Sequence, residues 1–187
     1  MEKLDGALVK MRKPLITLVI YGQINHDLSN YLKESLYNFL RSMDDDLKYT
    51  PEISVVKKPN PKLEKKGKEE EVFLRDLDSV SGKIVVGITG KGIYDNYISR
   101  NIFGFGRGGN GLLSSHRFRK STQRKMRERL GKEIIKIFGL AADVRHCFHG
   151  NCILSYHRRV KDLDRNHRVC ENCTKKLIQN INQYMED

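Results

Sequence analysis

"KEIIKIFGLAADVRHCFHGNC", residues 132–152, joins a helical pattern to a pair of cysteines. Lys132 and Lys136 stand four apart with an acid, Glu133, beside the first. Residues at that spacing share one helical face. A metal-binding helix uses the same spacing, with an acid beside its first ligand, but here both ligand positions hold lysine. Cys147 and Cys152 then form a C-x4-C pair, and Cys170 and Cys173 a C-x2-C pair 17 residues further on. The chain has four cysteines, and all of them lie in this window. Two close pairs with such a linker match tetrahedral zinc held by four thiolates, each pair wrapping one side of the ion at zinc–sulfur distances of ~2.3 Å. Disulfides are the alternative, and a reducing cytosol argues against them. A closed four-thiolate shell leaves no position for substrate, so this zinc would be structural.

Outward from that stretch the pattern is α/β. "LITLVIY" at 15–21 is a continuous apolar run of strand length, as for a strand buried on both faces. Asn25 or His26 opens a helix carrying Leu28, Tyr31, Leu32, Leu36, Phe39, Leu40 and Met43 on one stripe, ending near Met43 before three aspartates. A second strand is expected over 53–56, a short helix over 72–77 and a third strand in "KIVVGIT" at 83–89. Residues 57–71, with two prolines, a glycine and little apolar content, read as a flexible charged loop. Strands and helices alternating in this order indicate a mixed, mostly parallel sheet with covering helices.

Gly104, Gly106 and Gly109 match G-x-G-x-x-G, but too late in the chain for a dinucleotide fingerprint. Two short strands joined by a glycine-rich turn fit residues 101–115 better. A long helix follows over 116–138, with Ser121 or Thr122 as caps and Met126, Leu130, Ile134, Ile137 and Phe138 as its apolar stripe. Gly139 stands where a helix commonly ends. Residues 174–185 form a closing helix with Leu177, Ile178, Ile181 and Tyr184 on one face.

The bulk numbers bound the partners. The chain of 187 residues carries 35 Lys and Arg against 23 Asp and Glu, a net charge of +12. That excess fits either an acidic partner or a solvated basic surface. The densest positive run, Arg117, Arg119, Lys120, Arg124, Lys125, Arg127 and Arg129 against Glu128, is a candidate nucleic-acid surface, with the lysines of 57–68 beside it. The apolar run at 15–21 is far short of the ~20 residues a membrane span needs. A cytoplasmic protein without membrane contact is expected.

The helix with lysines and the cysteine frame resemble the archaemetzincins, zinc metallopeptidases of the metzincin type. Their signature is HExxHxxG, a third His directly before a Cys, C-x4-C with a Met two residues beyond it, and a distal CxxC. Lys132 stands at the first His, Glu133 at the catalytic Glu, Lys136 at the second His, Gly139 at the Gly and His146 at the third His. Cys147, Cys152, Cys170 and Cys173 complete the frame. The strands at 15–21 and 83–89, and the glycine-rich hairpin, are similar to the family's upstream elements. The resemblance implies one zincin-like (metzincin-like) domain over 1–187, with a zinc-bound C-terminal subregion at 146–187. It also implies a former catalytic zinc at Lys132, Lys136 and His146, with Glu133 as the vestigial base.

The departures are as informative. Both helix histidines are lysines, four extra residues separate Gly139 from His146, Leu154 holds the Met position, and the segment between Cys152 and Cys170 is about two residues short. An ammonium offers three donors and no lone pair, and its reference pKa is near ~10.4. It cannot ligate zinc while charged, and His146 alone is one ligand where three are needed. Without the metal, Glu133 lacks an activated water.

Three readings of the lysines stand at this point. They are solvated lysines flanking an Arg129–Glu133 pair; or their charges replace the zinc charge beside Glu133 or an acidic ligand; or a metal binds instead through His146 with His149, His157 or His167. The function these residues support is a catalytically inactive homologue of a zinc metallopeptidase with one structural Zn2+, acting as a peptide- or protein-binding module. The peptide would pair with an edge strand near 101–105. The alternatives are nucleic-acid binding through 117–129 and a surviving zinc-dependent peptidase with an atypical metal site.

Overall fold

A computed structural model describes residues 15–43, 46–48, 51–62, 69–95, 100–165 and 168–186. Among them, strand β1 (Ile16–Tyr21) is buried along its whole length. It lies between β2 (Ile53–Lys58) and β3 (Ile84–Thr89), parallel to both, so its apolar run has neighbours on each side and covered faces above and below. Strand β7 (Asn110–Ser114) pairs parallel with β3, and β6 (Gly104–Arg107) closes that edge antiparallel to β7. The sheet order is β2-β1-β3-β7-β6, with β4 (Ile93–Asp95) and β5 (Arg100–Ile102) forming a separate antiparallel pair. The mixed, mostly parallel α/β architecture expected from the strand–helix alternation is therefore present.

Side-chain alternation assigns the two faces. Ile16, Leu18 and Ile20 of β1 join Ile84, Val86 and Ile88 of β3 under α1 (His26–Arg41), α3 (Gln123–Ala141) and α4 (Glu171–Glu186). Val19, Tyr21 and Val85 face the other way, onto Phe73 and Leu77 of α2 (Glu69–Asp78). The hydroxyls of the two buried hydroxyl residues in β1 are satisfied: Thr17 Oγ1 donates to the Ser81 carbonyl at 2.7 Å and shares a bond with Ser54 Oγ, and the Tyr21 hydroxyl donates to Asp76 Oδ2 at 2.5 Å. Asn25 caps α1, its side chain accepting from the Asp27 amide. No helix of the described residues is long and apolar enough to cross a membrane.

Several boundaries differ from the sequence reading. Lys57 and Lys58 are the last residues of β2, and Glu69, Glu70 and Glu71 form the first turn of α2. The connection expected over 57–71 is thus shorter at both ends, and 63–68 lie outside the described residues. The three glutamates favour a helix start because they face its positive end. The long helix starts at Gln123, capped by Thr122, after a separate 3-10 turn at His116–Phe118. It does not stop at Gly139. It runs on to Ala141, because Leu154 packs directly on the glycine, where a Cβ would come within 2.9 Å of Leu154 Cδ2. The left-handed exit residue is Asp143, with φ of 60°, whose carboxylate accepts from the Gly108 amide and Tyr184 hydroxyl.

The edge that frames the site depends on close approach. Gly108 and Gly109, at φ of 54° and 83°, make the two-residue turn that returns β6 alongside β7. At Gly106 the backbone of α3 lies directly on the strand: a Cβ there would stand 2.6 Å from the Ala141 nitrogen and 2.8 Å from the Ile137 carbonyl. Backbone atoms cannot give way as a side-chain tip can. Gly106→Ala should therefore lower the unfolding free energy by about 1–3 kcal/mol, read by urea titration. Gly150→Ala, with nothing within 4 Å of its added methyl, should leave it unchanged.

Candidate metal centre and the buried helix lysine

The four cysteine sulfurs lie within 4.8 Å of one another. Cys147 and Cys152 come from the loop after α3, Cys170 from just before α4 and Cys173 from its first turn. Cys147 Sγ is 3.7 Å from Cys170 Sγ, close to the ~3.8 Å between neighbouring sulfurs of a tetrahedral zinc–thiolate site. Backbone amides already point at the sulfurs: His149 N–H donates to Cys147 Sγ and Cys170 N–H to Cys152 Sγ, both at 3.4 Å. Burial pushes the Cys152 and Cys173 thiols up. At Cys170 burial acts the same way but is outweighed by hydrogen bonds from His149 and Cys173, which bring that thiol down to about 6. Zinc deprotonates coordinating thiols outright, and this donor set fits one zinc ion with all four positions filled.

The helix with the lysines presents a different environment. Glu133 is 1% exposed and Lys136 4% exposed. Lys136 Nζ stands 3.7 Å from Glu133 Oε1 and 3.3 Å from His157 Nδ1. His157 Nδ1 is in turn 3.7 Å from Glu133 Oε2. A charged Lys136 requires Nδ1 to accept. That assigns the imidazole proton to Nε2, which donates to Ser155 Oγ at 3.2 Å. Among the described residues, Glu133 Oε2 has no hydrogen-bond partner. A cavity of about 50 Å3 lies here, lined by Glu133, Lys136, His146, His157, Tyr156 and Arg117 among others. The Arg117 guanidinium sits 3.9 Å over the Phe103 ring and donates to the Arg158 carbonyl.

Lys132 does not join this group, although it is four residues from Lys136. Its Nζ donates to the Leu163 carbonyl at 2.8 Å. Arg129 reaches the same segment, forking onto both Asp164 oxygens at 2.8 and 2.7 Å and onto Ser121 Oγ. The expected Arg129–Glu133 pair is therefore replaced: a two-toothed carboxylate match 35 residues away is geometrically better than a helical neighbour. The reading of both lysines as solvated fails for Lys136, which is buried. Arg129 and Lys132 together clamp residues 160–164 onto α3, and the chain leading into that segment carries His157 over Glu133.

The histidines separate. His146 lines the cavity, its Nδ1 3.3 Å from the Leu154 carbonyl and its ring edge-on to Tyr156. Burial, and after it the Lys136 ammonium, hold its imidazole below the ordinary value, which keeps it neutral near pH 7. His149 turns to the sulfurs instead, and His167 lies outside the described residues. Apart from the four cysteines, no set of three His, Cys, Asp or Glu among the described residues brings its donor atoms together. A site of His146, His149 and His157 is thus not assembled, while the variant with His167 lies outside the described residues. The sequence offers His157 only for that alternative. Its place beside Glu133 depends on packing contacts that no sequence spacing encodes.

The basic run also divides. Arg117 and Arg129 are engaged inside the fold, Arg119 donates to the Gly90 carbonyl and Arg124 pairs with Glu128. Lys120, Lys125 and Arg127 remain at the surface or partly so. Elsewhere, a cleft of about 630 Å3 runs along β6 and is lined by Phe105, Arg107, Arg145, His146 and Tyr156 among others.

The same chain trace recurs in solved structures. The archaemetzincin of Methanopyrus kandleri superposes with a TM-score of 0.71 at 22% identity, over 92% of this chain and 98% of that one. This is the archaemetzincin fold. The archaemetzincin of Archaeoglobus fulgidus, solved with malonate, gives 0.67 at 22% identity over 87% and 99% of the two chains. A zinc-dependent peptidase from Methanocorpusculum labreanum gives 0.66 at 17% over 87% and 99%. No protein-family model matches the sequence, and no curated protein matches it.

Of the two zinc positions that the sequence resemblance implies, this chain's residues suit one. The sulfurs fit a zinc ion. The helix positions do not, because Lys132 is spent on the Leu163 carbonyl and the Lys136 ammonium occupies the space between Glu133 and His157. Removing that ammonium would leave a buried carboxylate without its cation. Lys136→Met should cost about 3–5 kcal/mol in urea unfolding, and Lys136→Met with Glu133→Leu should recover most of it.

Proposed function

We propose that this protein is a catalytically inactive relative of the archaemetzincins, with one structural zinc, that binds an extended peptide or protein segment. The observation that carries the reading is the Lys136 ammonium lying 3.7 Å from Glu133 and 3.3 Å from His157. A fixed monovalent cation there repels a divalent one and offers no lone pair. It also offsets part of the negative charge of Glu133, which lowers the electrostatic drive to take up a metal there. Glu133 then has no metal-activated water to deprotonate.

Peptide binding is supported by the edge geometry. Strand β6 pairs with β7 on one side, and the cleft along it is flanked by aromatic and charged side chains. An extended chain laid along Gly104–Arg107 would continue the sheet through backbone hydrogen bonds. Corrected for the observed elements, the pairing strand is β6; Asn101 and Ile102 belong to β5.

Two measurements test the two halves separately. Zinc quantified by mass spectrometry of the intact native protein should give one ion per chain, and peptide cleavage should be absent with or without a chelator. Two ions per chain, or cleavage abolished by the chelator, would overturn inactivity. In NMR titrations with a degenerate peptide library, the amides of Gly104–Arg107 should shift first. A library that leaves those amides unmoved would remove the peptide reading while leaving the zinc count intact.

A further inference from the structure

Phe148 is fully exposed, at 104% of its reference area, at the tip of the C-x4-C loop. A lone exposed apolar side chain is ordinary, but this one stands on a rigid mount. The His149 amide donates to Cys147 Sγ, and the Cys152 amide donates to the His149 carbonyl at 3.0 Å. The loop is tied at both ends, so the ring is held out into solvent rather than folded back. A second aromatic, Tyr156, is 53% exposed, and His146 holds it edge-on, with ring centroids 5.6 Å apart at 86°. That contact fixes the plane of the tyrosine.

Phe148 divides two hollows. One, of about 600 Å3, carries Arg145 and Lys176; the other, of about 350 Å3, carries Tyr156 and Arg165. All three cationic residues are exposed. Each hollow also holds one carboxylate, anchored by neutral donors of the fold: Asp143 accepts from the Gly108 amide and Tyr184, and Asp162 accepts from the amides of Arg158 and Arg159. Each hollow thus combines an aromatic wall with cationic side chains that make no ion pair among the described residues, on a chain of net charge +12.

We propose that this face binds single-stranded nucleic acid, with bases stacked on Phe148 and Tyr156 and phosphates met by Arg145, Arg165 and Lys176. Stacking on fixed rings tolerates any base, and interleaved cations follow the backbone. A duplex keeps its bases stacked on each other and offers nothing to a protruding ring. A lipid surface is the poorer match, since one phenylalanine inserts little apolar area and the flanking hollows are polar. The site shares Arg145 and Tyr156 with the rim of the β6 cleft but adds Phe148, Arg165 and Lys176, which that cleft lacks; it uses none of the lysines and arginines of α3 and does not depend on the absence of peptidase activity.

The test is fluorescence anisotropy of the zinc-loaded full chain with a labelled oligouridylate of about 12 nucleotides. Neutralising roughly three phosphates should weaken binding about 20-fold between about 50 mM and about 200 mM salt. Phe148→Ala and Tyr156→Ala should each weaken it roughly tenfold or more, with zinc content and circular dichroism unchanged. Phe148→Leu, which keeps bulk without an aromatic face, should be nearly as weak as the alanine variant. Arg124→Ala with Lys125→Ala on α3 should leave affinity as it was. No binding at the lower salt would overturn the proposal, as would indifference to both aromatic variants or equal competition by duplex RNA. Phe148-dependent capture by phosphatidylserine vesicles without RNA binding would also overturn it, and would assign the face to membrane.

Discussion

The carboxylate of Glu133 is buried in the middle of a helix, where an unpaired charge costs several kcal/mol or shifts its protonation instead. A helix that packs its other positions against the sheet cannot turn this residue outward. Leu130, Ile134, Ile137 and Phe138 are all fully buried around it, so the rotation of α3 is set by the apolar stripe and Glu133 is carried inward with it. Some positive charge must then enter the same pocket. In this chain it is an ammonium from the next turn, seated 3.7 Å away and shared with His157. The orientation of the His157 ring follows from that one placement, and the ammonium adds to burial in keeping His146 neutral.

The sulfur cluster supplies the other half of the constraint. The described residues between 142 and 170 contain little regular structure, and their position over α3 is maintained by ties at separated points. Arg129 and Lys132 hold one end through Asp164 and the Leu163 carbonyl, while Cys147 and Cys152 are brought against Cys170 and Cys173. A zinc ion at the sulfurs contributes folding free energy directly, since no such site exists in the unfolded chain. The same ties that bring His157 over Glu133 leave the tip of the first cysteine loop without a partner from the fold. The inner face of the segment closes the old pocket, and its outer face presents aromatic and basic side chains to solvent.

Much of the fold was legible in the sequence because the decisive signals were local. A fully apolar run at 15–21, cysteine pairs at fixed spacing and a threonine ahead of an amphipathic repeat each carry their own physical reason. The site was less legible because spacing gives a direction from the helix axis and not a destination. Lys132 and Lys136 leave the same face of α3, yet one tip reaches the Leu163 carbonyl and the other is buried against His157. Arg129 was assigned to a neighbour four residues along, while its partner lies 35 residues away. Gly139 looked like a helix stop because nothing local reveals that Leu154 needs the space above it. In each case the competing influence is tertiary packing, which outranks a preference worth less than ~1 kcal/mol.

The four residues inserted after Gly139 bear on both faces at once. Part of the extra length extends α3 to Ala141, and the remainder turns through Asp143, whose left-handed backbone is anchored to the β6–β7 turn and to Tyr184. A longer exit would ordinarily shift every residue downstream. Because Asp143 fixes it to the sheet edge on one side and Leu154 fixes it to Gly139 on the other, His146 still lines the cavity beside Glu133. What distinguishes this pocket lies instead in the two helix positions themselves, where the Lys136 ammonium stands beside Glu133 and Lys132 is drawn to the Leu163 carbonyl while the surrounding scaffold keeps its course.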